Sequence, residues 1–121
     1  MPDVAMKMTI EIPAPAEFLN SNQRLHPHRK AKLTKAWRAA AKAAALQSPP
    51  FGCPVRIVAY VVKPIRNRFD PGNWYPTAKA CVDGIVDAQL LTDDDWRQVI
   101  GPDMRRGQPG PAALVLEIEP L

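Results

Sequence analysis

Hydrophobic and polar positions alternate strictly over residues 4–12. Met6, Met8, Ile10 and Ile12 fall on one side, and Lys7, Thr9 and Glu11 on the other. A period of two predicts a half-exposed strand, which Pro13 and Pro15 end. A polar loop over 20–28 follows, and over 29–47 the pattern turns helical, with an alanine-rich run of high helix propensity. Leu33, Trp37, Ala40, Ala41 and Ala44 share one face of that helix; Lys32, Lys35, Arg38 and Lys42 share the opposite one. Ser48, Pro49 and Pro50 stop it.

Residues 55–63 are β-branched and predict a central strand. A basic loop over 64–69 runs into Asp70, Pro71, Gly72 and Asn73. A second helix is expected to start near Tyr75, Pro76 and Thr77, with Pro76 suited to a first turn, and to end near Gln89. Its inward positions are Ala78, Val82, Ile85 and Val86. Beyond a turn at Asp93, Asp94 and Asp95 we expect a strand over 96–101 and a basic, Gly/Pro-rich hairpin loop over 102–111. A last strand over 113–119 carries Leu114, Leu116 and Ile118 on one face. The order is β-α-β-α-β-β. It predicts a single α+β domain over 1–121, a small mixed or antiparallel sheet packed with two helices.

Composition narrows the setting. The chain has 121 residues, of which 46% are apolar and 23% charged, as in ordinary folded proteins. Its longest apolar run, 57–62, is far short of the ~20 residues that span a bilayer. The start of the chain has no basic-then-apolar signal pattern. No membrane and a cytoplasmic setting are therefore expected, with Cys53 and Cys81 as reduced core residues.

Charge is segregated. Between Pro13 and Phe69 stand 11 Lys/Arg and one acid, Glu17; between Asp70 and Met104 stand seven Asp against Lys79 and Arg97. That suits a protein holding a polyanion with one part and a divalent cation with the other. It also suits two faces of one fold that neutralise each other.

The chemistry concentrates in 66–95. Lys79, Asp83 and Asp87 lie on one helical stripe flanked by acids at Asp70 and at Asp93 to Asp95. Oxygen-only carboxylate clusters suit Mg²⁺ or Mn²⁺, and beside phosphate such a metal supplies a hydroxide nucleophile. The same residues have plainer uses: Asp70 to Asn73 is good turn chemistry, and Lys79 and Asp83 can pair as i,i+4 neighbours. Lys32, Lys35, Arg38 and Lys42 form either a phosphate-tracking face or a solvated one. Arg66, Arg68, Arg105 and Arg106 sit in predicted loops able to grip a polyanion. Phe69, Trp74 and Tyr75 border the acids, for base stacking or for packing. His26 and His28 lack a matched third ligand for zinc.

Arg68, Phe69, Asp70 and Asn73, then Lys79, Asp83 and Gly84, then Asp93 and Asp94 resemble in order the core signature of the RusA-type Holliday junction resolvases. Leu19, Asn20, Ser21, Asn22, Arg24 and His26, with Trp37 and Arg38, are similar to that family's first loop and helix. The resemblance covers roughly residues 6–119. It implies a small homodimeric, Mg²⁺-dependent (or Mn²⁺-dependent) endonuclease that nicks branched double-stranded DNA in pairs at four-way junctions, in a bacterial cell and often phage-encoded. Carried across, Asp70 and Asp94 would hold the metal with help from Asp93, and Lys79 would face the scissile phosphate. Asn73 and Asp83 would support them, and Arg24 would join the DNA-binding residues.

The sequence departs from that pattern twice. Gly72 stands where the family usually has its second aspartate, and residues 74–78 separate Asn73 from Lys79 where two residues are usual. It is open whether Asp70 aligns with the first or the second aspartate. The alternative expectation is a non-catalytic DNA- or RNA-binding module on the same scaffold, its metal site weakened at Gly72.

Overall fold

A computed structural model describes residues 7–51, 54–65, 68–91 and 99–121. The element order is β1 (Met8–Pro13), α1 (Pro27–Ala45), β2 (Val55–Val62), a 3-10 helix (Pro71–Trp74), α2 (Tyr75–Asp87), β3 (Val99–Arg106) and β4 (Ala113–Pro120). The fold is α+β, with two helices on a four-stranded mixed sheet of order β1-β4-β2-β3. β4 runs antiparallel to both β1 and β2, and β3 runs parallel to β2.

Register explains the core. Ile10, Leu116 and Ala59 form one cross-strand row, and Ile12, Leu114 and Val61 the next. All six are buried, so the expected alternation of β1, β2 and β4 puts one continuous apolar face under the helices. α1 contributes Leu33, Trp37, Ala41 and Ala45 to that core. Ala44, expected inward, is exposed, and Ala40 is half-buried. An alanine run has no large side chain to fix its facing, and Leu33 and Trp37 set the helix rotation instead. Trp37 is fully buried, stacks on Phe18 at 5.2 Å and donates its indole N–H to the Glu17 carbonyl at 2.8 Å. On α2, Ala78, Val82 and Ile85 are buried and Val86 is half-buried. Cys81 is also buried, with its thiol pKa pushed up by desolvation, as suits a reduced core residue; Cys53 lies outside the described residues.

The third strand differs from expectation. β3 extends past Gly101 and through Pro102 to Arg106, whereas sequence patterning ends the strand at Gly101 and assigns 102–111 to a loop. As an edge strand, β3 tolerates a proline without an N–H. Gly101 has φ +109°, open to glycine but strained for other residues, and the register with β2 shifts between Arg56 and Val58. β3 and β4 do not form a hairpin. They flank β2 on opposite sides, and the connection between them passes the end of β2, where Gly107 N–H donates to the Val61 carbonyl at 2.9 Å and Gly110 N–H to Lys63 at 3.0 Å. Among the described residues, no helix is long and apolar enough to cross a membrane.

α1 and α2 meet backbone to backbone at Gly84. A Cβ there would stand 2.3 Å from the Arg38 carbonyl oxygen and 2.8 Å from the Ala41 Cβ. Helix propensity alone would make Gly84→Ala stabilising by about 1 kcal/mol. Overpacking against backbone opposes that with ~1–3 kcal/mol. We therefore expect Gly84→Ala to lower the urea midpoint at an unchanged m-value; a raised midpoint would refute this helix spacing.

Candidate active site and nucleic-acid interface

The candidate site starts where the chain leaves β2. Asp70 is extended (φ −93°, ψ 109°) and caps the 3-10 helix: its Oδ1 accepts the Gly72 N–H at 3.0 Å and its carbonyl accepts the Asn73 N–H at 3.0 Å. This is the turn chemistry that Asp-Pro-Gly-Asn favours. The carboxylate is exposed, and no described residue donates to its Oδ2. A Cβ on Gly72 would lie 3.3 Å from Asp70 Oδ1, so a side chain here would start beside the Asp70 carboxylate. Residues 74–78, a longer stretch than the family pattern has, complete the 3-10 helix and the first turn of α2.

A second loop is pinned to this segment. Thr77, fully buried, donates its hydroxyl to the Leu19 carbonyl and accepts the Leu19 N–H, both at 2.7 Å. The Asn73 carbonyl accepts from the Ser21 N–H at 2.8 Å and the Ser21 hydroxyl at 2.9 Å. Asn73 thus acts through its backbone, a role that its side-chain identity did not announce.

Further along α2, Lys79 Nζ donates to Asp83 Oδ1 at 2.8 Å, the i,i+4 pair. Asp87 receives a two-pronged bond from Arg38 of α1, Nε to Oδ2 at 2.6 Å and a terminal nitrogen to Oδ1 at 2.8 Å. That bond holds the Asp87 pKa below its ordinary value, and the charges of Arg38 and Lys42 reinforce it. The stripe Lys79, Asp83 and Asp87 is therefore one of ion pairs. Among the described residues no group of three or more His, Cys, Asp and Glu gathers to hold a metal. Asp93 and Asp94, the expected partners of Asp70, lie outside the described residues, as does Arg66. Oxygen donors suit Mg²⁺, and of the described candidate acids Asp83 and Asp87 are in salt bridges while Asp70 is exposed and in none with a described residue.

The basic residues divide into two groups. Arg38 and Arg105 are paired, Arg105 with Asp103 at 2.6 Å. Arg24, Lys32, Lys35, Lys42 and Arg68 are exposed, and none is in a salt bridge with a described carboxylate. Arg106, expected in a loop, ends β3 with its guanidinium over the Phe69 ring at 5.3 Å.

A cluster that sequence reasoning missed surrounds that ring. Lys63 Nζ lies 4.8 Å from the centroids of both Phe69 and Trp74, which meet edge to face at 5.2 Å. Its signal was faint: one lysine closing a strand and one arginine ahead of a Gly/Pro stretch. The two rings are half-buried against the core, while Tyr75 is exposed. His26 and His28 stack at 5.0 Å, and His26 Nδ1 accepts the His28 N–H at 3.2 Å, a helix cap. No protein-family model matches the chain, and no curated protein matches it either.

The Arg38–Asp87 bridge joins the two helices and should titrate. A carboxylate with a lowered folded pKa contributes stability above its unfolded pKa and loses it as pH falls through the folded value. We expect Asp87→Asn to be less stable than the parent chain at pH 7. The gap should close below the ordinary Asp pKa of 3.8. Thermal midpoints across pH 2–7 measure it, and a gap independent of pH would refute the assignment.

Proposed function

We propose that the protein is a metal-dependent, structure-selective endonuclease of the RusA type, acting as a homodimer on four-way DNA junctions. The observation that carries this is the Asp70 turn, which presents an exposed carboxylate directly ahead of the helix that bears Lys79 and Asp83. A basic face, Lys32, Lys35 and Lys42, with no salt bridge to a described carboxylate, lies on α1. Mg²⁺ held by Asp70 and Asp94, with Asp93 assisting, would supply a nucleophilic hydroxide and neutralise charge on the phosphate. Lys79, poised by Asp83, would add a cation at the phosphate. Two active sites are needed for paired nicks, and a two-fold dimer supplies them at matching positions. Phosphate contacts give affinity without sequence preference; junction shape gives selectivity.

A second reading has its own support. Asp70 Oδ1 is spent on a backbone N–H, Lys79 is paired with Asp83, and Gly72 adds no carboxylate. These features favour a binding module that holds branched nucleic acid without cutting it.

Nicking of a synthetic four-way junction separates the two readings. We expect Mg²⁺-dependent paired nicks from the parent chain. Asp70→Asn and Asp94→Asn should each reduce them at least ~100-fold, about 2.7 kcal/mol of barrier, while junction binding persists. Parent-chain binding without metal-dependent cutting would establish the second reading.

Gly72→Asp tests the missing acid. The backbone there is not in the left-handed region, and the new Cβ would sit 3.3 Å from Asp70 Oδ1. The added carboxylate should lower the Mg²⁺ concentration for half-maximal nicking. A raised requirement would separate Gly72 from the metal.

A further inference from the structure

Beside the Asp70 turn, the described residues enclose a cavity of about 160 Å³ that neither the metal chemistry nor the α1 face uses. It lies between the loop over 19–25, the first turn of α1 and the start of α2. Its polar wall comes from Asn20, Ser21, Gln23, Arg24 and Lys30, and Pro76 closes one side. No carboxylate lines it.

The lining is biased toward donors. Asn20 Oδ1 is taken by the Asn22 N–H at 2.8 Å, and Gln23 Oε1 by the Asn20 N–H at 2.9 Å. The Ser21 hydroxyl is turned to the Asn73 carbonyl. The two side-chain amide oxygens are thus occupied within the protein, and the Ser21 proton is committed. Arg24 and Lys30 also line the cavity, and neither is in a salt bridge with a described carboxylate. The nearest acid along the loop, Glu17, pairs with Arg29. Two cations around a preformed polar hollow favour an oxyanion, and the planar arginine fork suits phosphate oxygens.

The cavity is also fixed in place. Ser21 on its wall is bonded to the Asn73 carbonyl, and the Asn73 N–H is bonded to the Asp70 carbonyl. Leu19, at its inner end, is locked to buried Thr77. Two hydrogen-bonded steps therefore join the cavity to the Asp70 turn through ordered backbone.

We propose that this cavity is a phosphate subsite. It takes one backbone phosphodiester of the DNA between Arg24 and Lys30, and so sets the position of the strand relative to Asp70. The assignment rests on the nucleic-acid reading above and adds to it a specific contact separate from the α1 face.

The test uses the full chain and the double variant Arg24→Gln/Lys30→Gln. Junction affinity is followed by fluorescence anisotropy between 50 and 200 mM KCl, and inorganic phosphate is titrated against backbone amides by NMR. Each neutralised phosphate contributes about 0.9 to the log–log salt slope, so the double variant, which gives up one, should lose about 0.9. Arg24→Lys/Lys30→Arg should retain the slope, and Arg56→Gln on the far sheet face should leave it unchanged. In the parent chain, phosphate should shift the amides of residues 20–25, and in the glutamine variant it should not.

The outcomes separate the site from the function. DNA binding with an unchanged slope in the glutamine variant overturns the subsite and leaves the nucleic-acid reading standing. Phosphate shifts at residues 20–25 with no DNA binding by the parent chain mark a free-phosphate site, which overturns the phosphodiester assignment together with the nucleic-acid reading. The expected loss of slope, with amide shifts confined to this loop, supports both.

Discussion

Thr77 is the buried polar side chain of the described core, and much of the functional surface depends on how it is satisfied. Its hydroxyl both gives to and takes from the backbone of Leu19 at 2.7 Å. One side chain thereby closes a donor and an acceptor that would each cost ~1–3 kcal/mol if buried unpaired. The bond spans 58 positions in sequence. It draws the loop ahead of α1 onto the first turn of α2, and with it Ser21 onto Asn73. Without that clamp the polar loop would have no fixed relation to the turn that carries Asp70.

The parts of the fold legible in the sequence are those where side chains of contrasting polarity report their own facing. Ile10 and Ile12 against Thr9 and Glu11, or Leu114, Leu116 and Ile118 on the closing strand, settle both element and face. Legibility fails where the reporting residue is small or where tertiary context overrides local chemistry. The alanines of α1 carry too little area to set rotation, hence the exchange of Ala44 for Ala45. Pro102 and the residues after it read as a loop, yet they continue an edge strand to Arg106 because β2 is beside them to be paired. The pairing partner is also nonlocal information. Nothing in a Gly/Pro-rich stretch between two strands says that they lie on opposite sides of a third.

The site shows the same division. Segregated charge suits a polyanion and a cation as well as two faces that neutralise each other, and it cannot say which charges the protein uses on itself. Asp83, Asp87 and Asp103 are each matched to a basic residue, and all three of those, Lys79, Arg38 and Arg105, were candidates for phosphate. The neutralising arrangement therefore accounts for part of the pattern. What survives it is specific: exposed cations on α1, the Arg24 and Lys30 pair beside the polar loop, and an Asp70 carboxylate with one oxygen uncommitted. Exposed ion pairs stabilise little, so the matched residues serve position more than energy, with Arg38 and Asp87 tying α1 to α2.

The cation–aromatic cluster follows from the parallel pairing of β2 and β3. Parallel strands finish at the same edge of a sheet, so Lys63, just past the end of β2, and Arg106, at the end of β3, arrive together. Two like charges converging there would repel, more strongly in partly desolvated surroundings. The faces of Phe69 and Trp74 offset that, since a ring quadrupole attracts a cation without introducing a competing carboxylate. Phe69 immediately precedes Asp70, and Trp74 ends the 3-10 helix that Asp70 caps. The positive charge held on those rings thus flanks the Asp70 turn from the strand side, as Arg24 and Lys30 do from the loop side. A lone carboxylate repels a polyanion; one set between two groups of cations lets phosphate approach. This arrangement gives the exposed acid of the turn basic neighbours on both sides, as the proposed binding of nucleic acid requires.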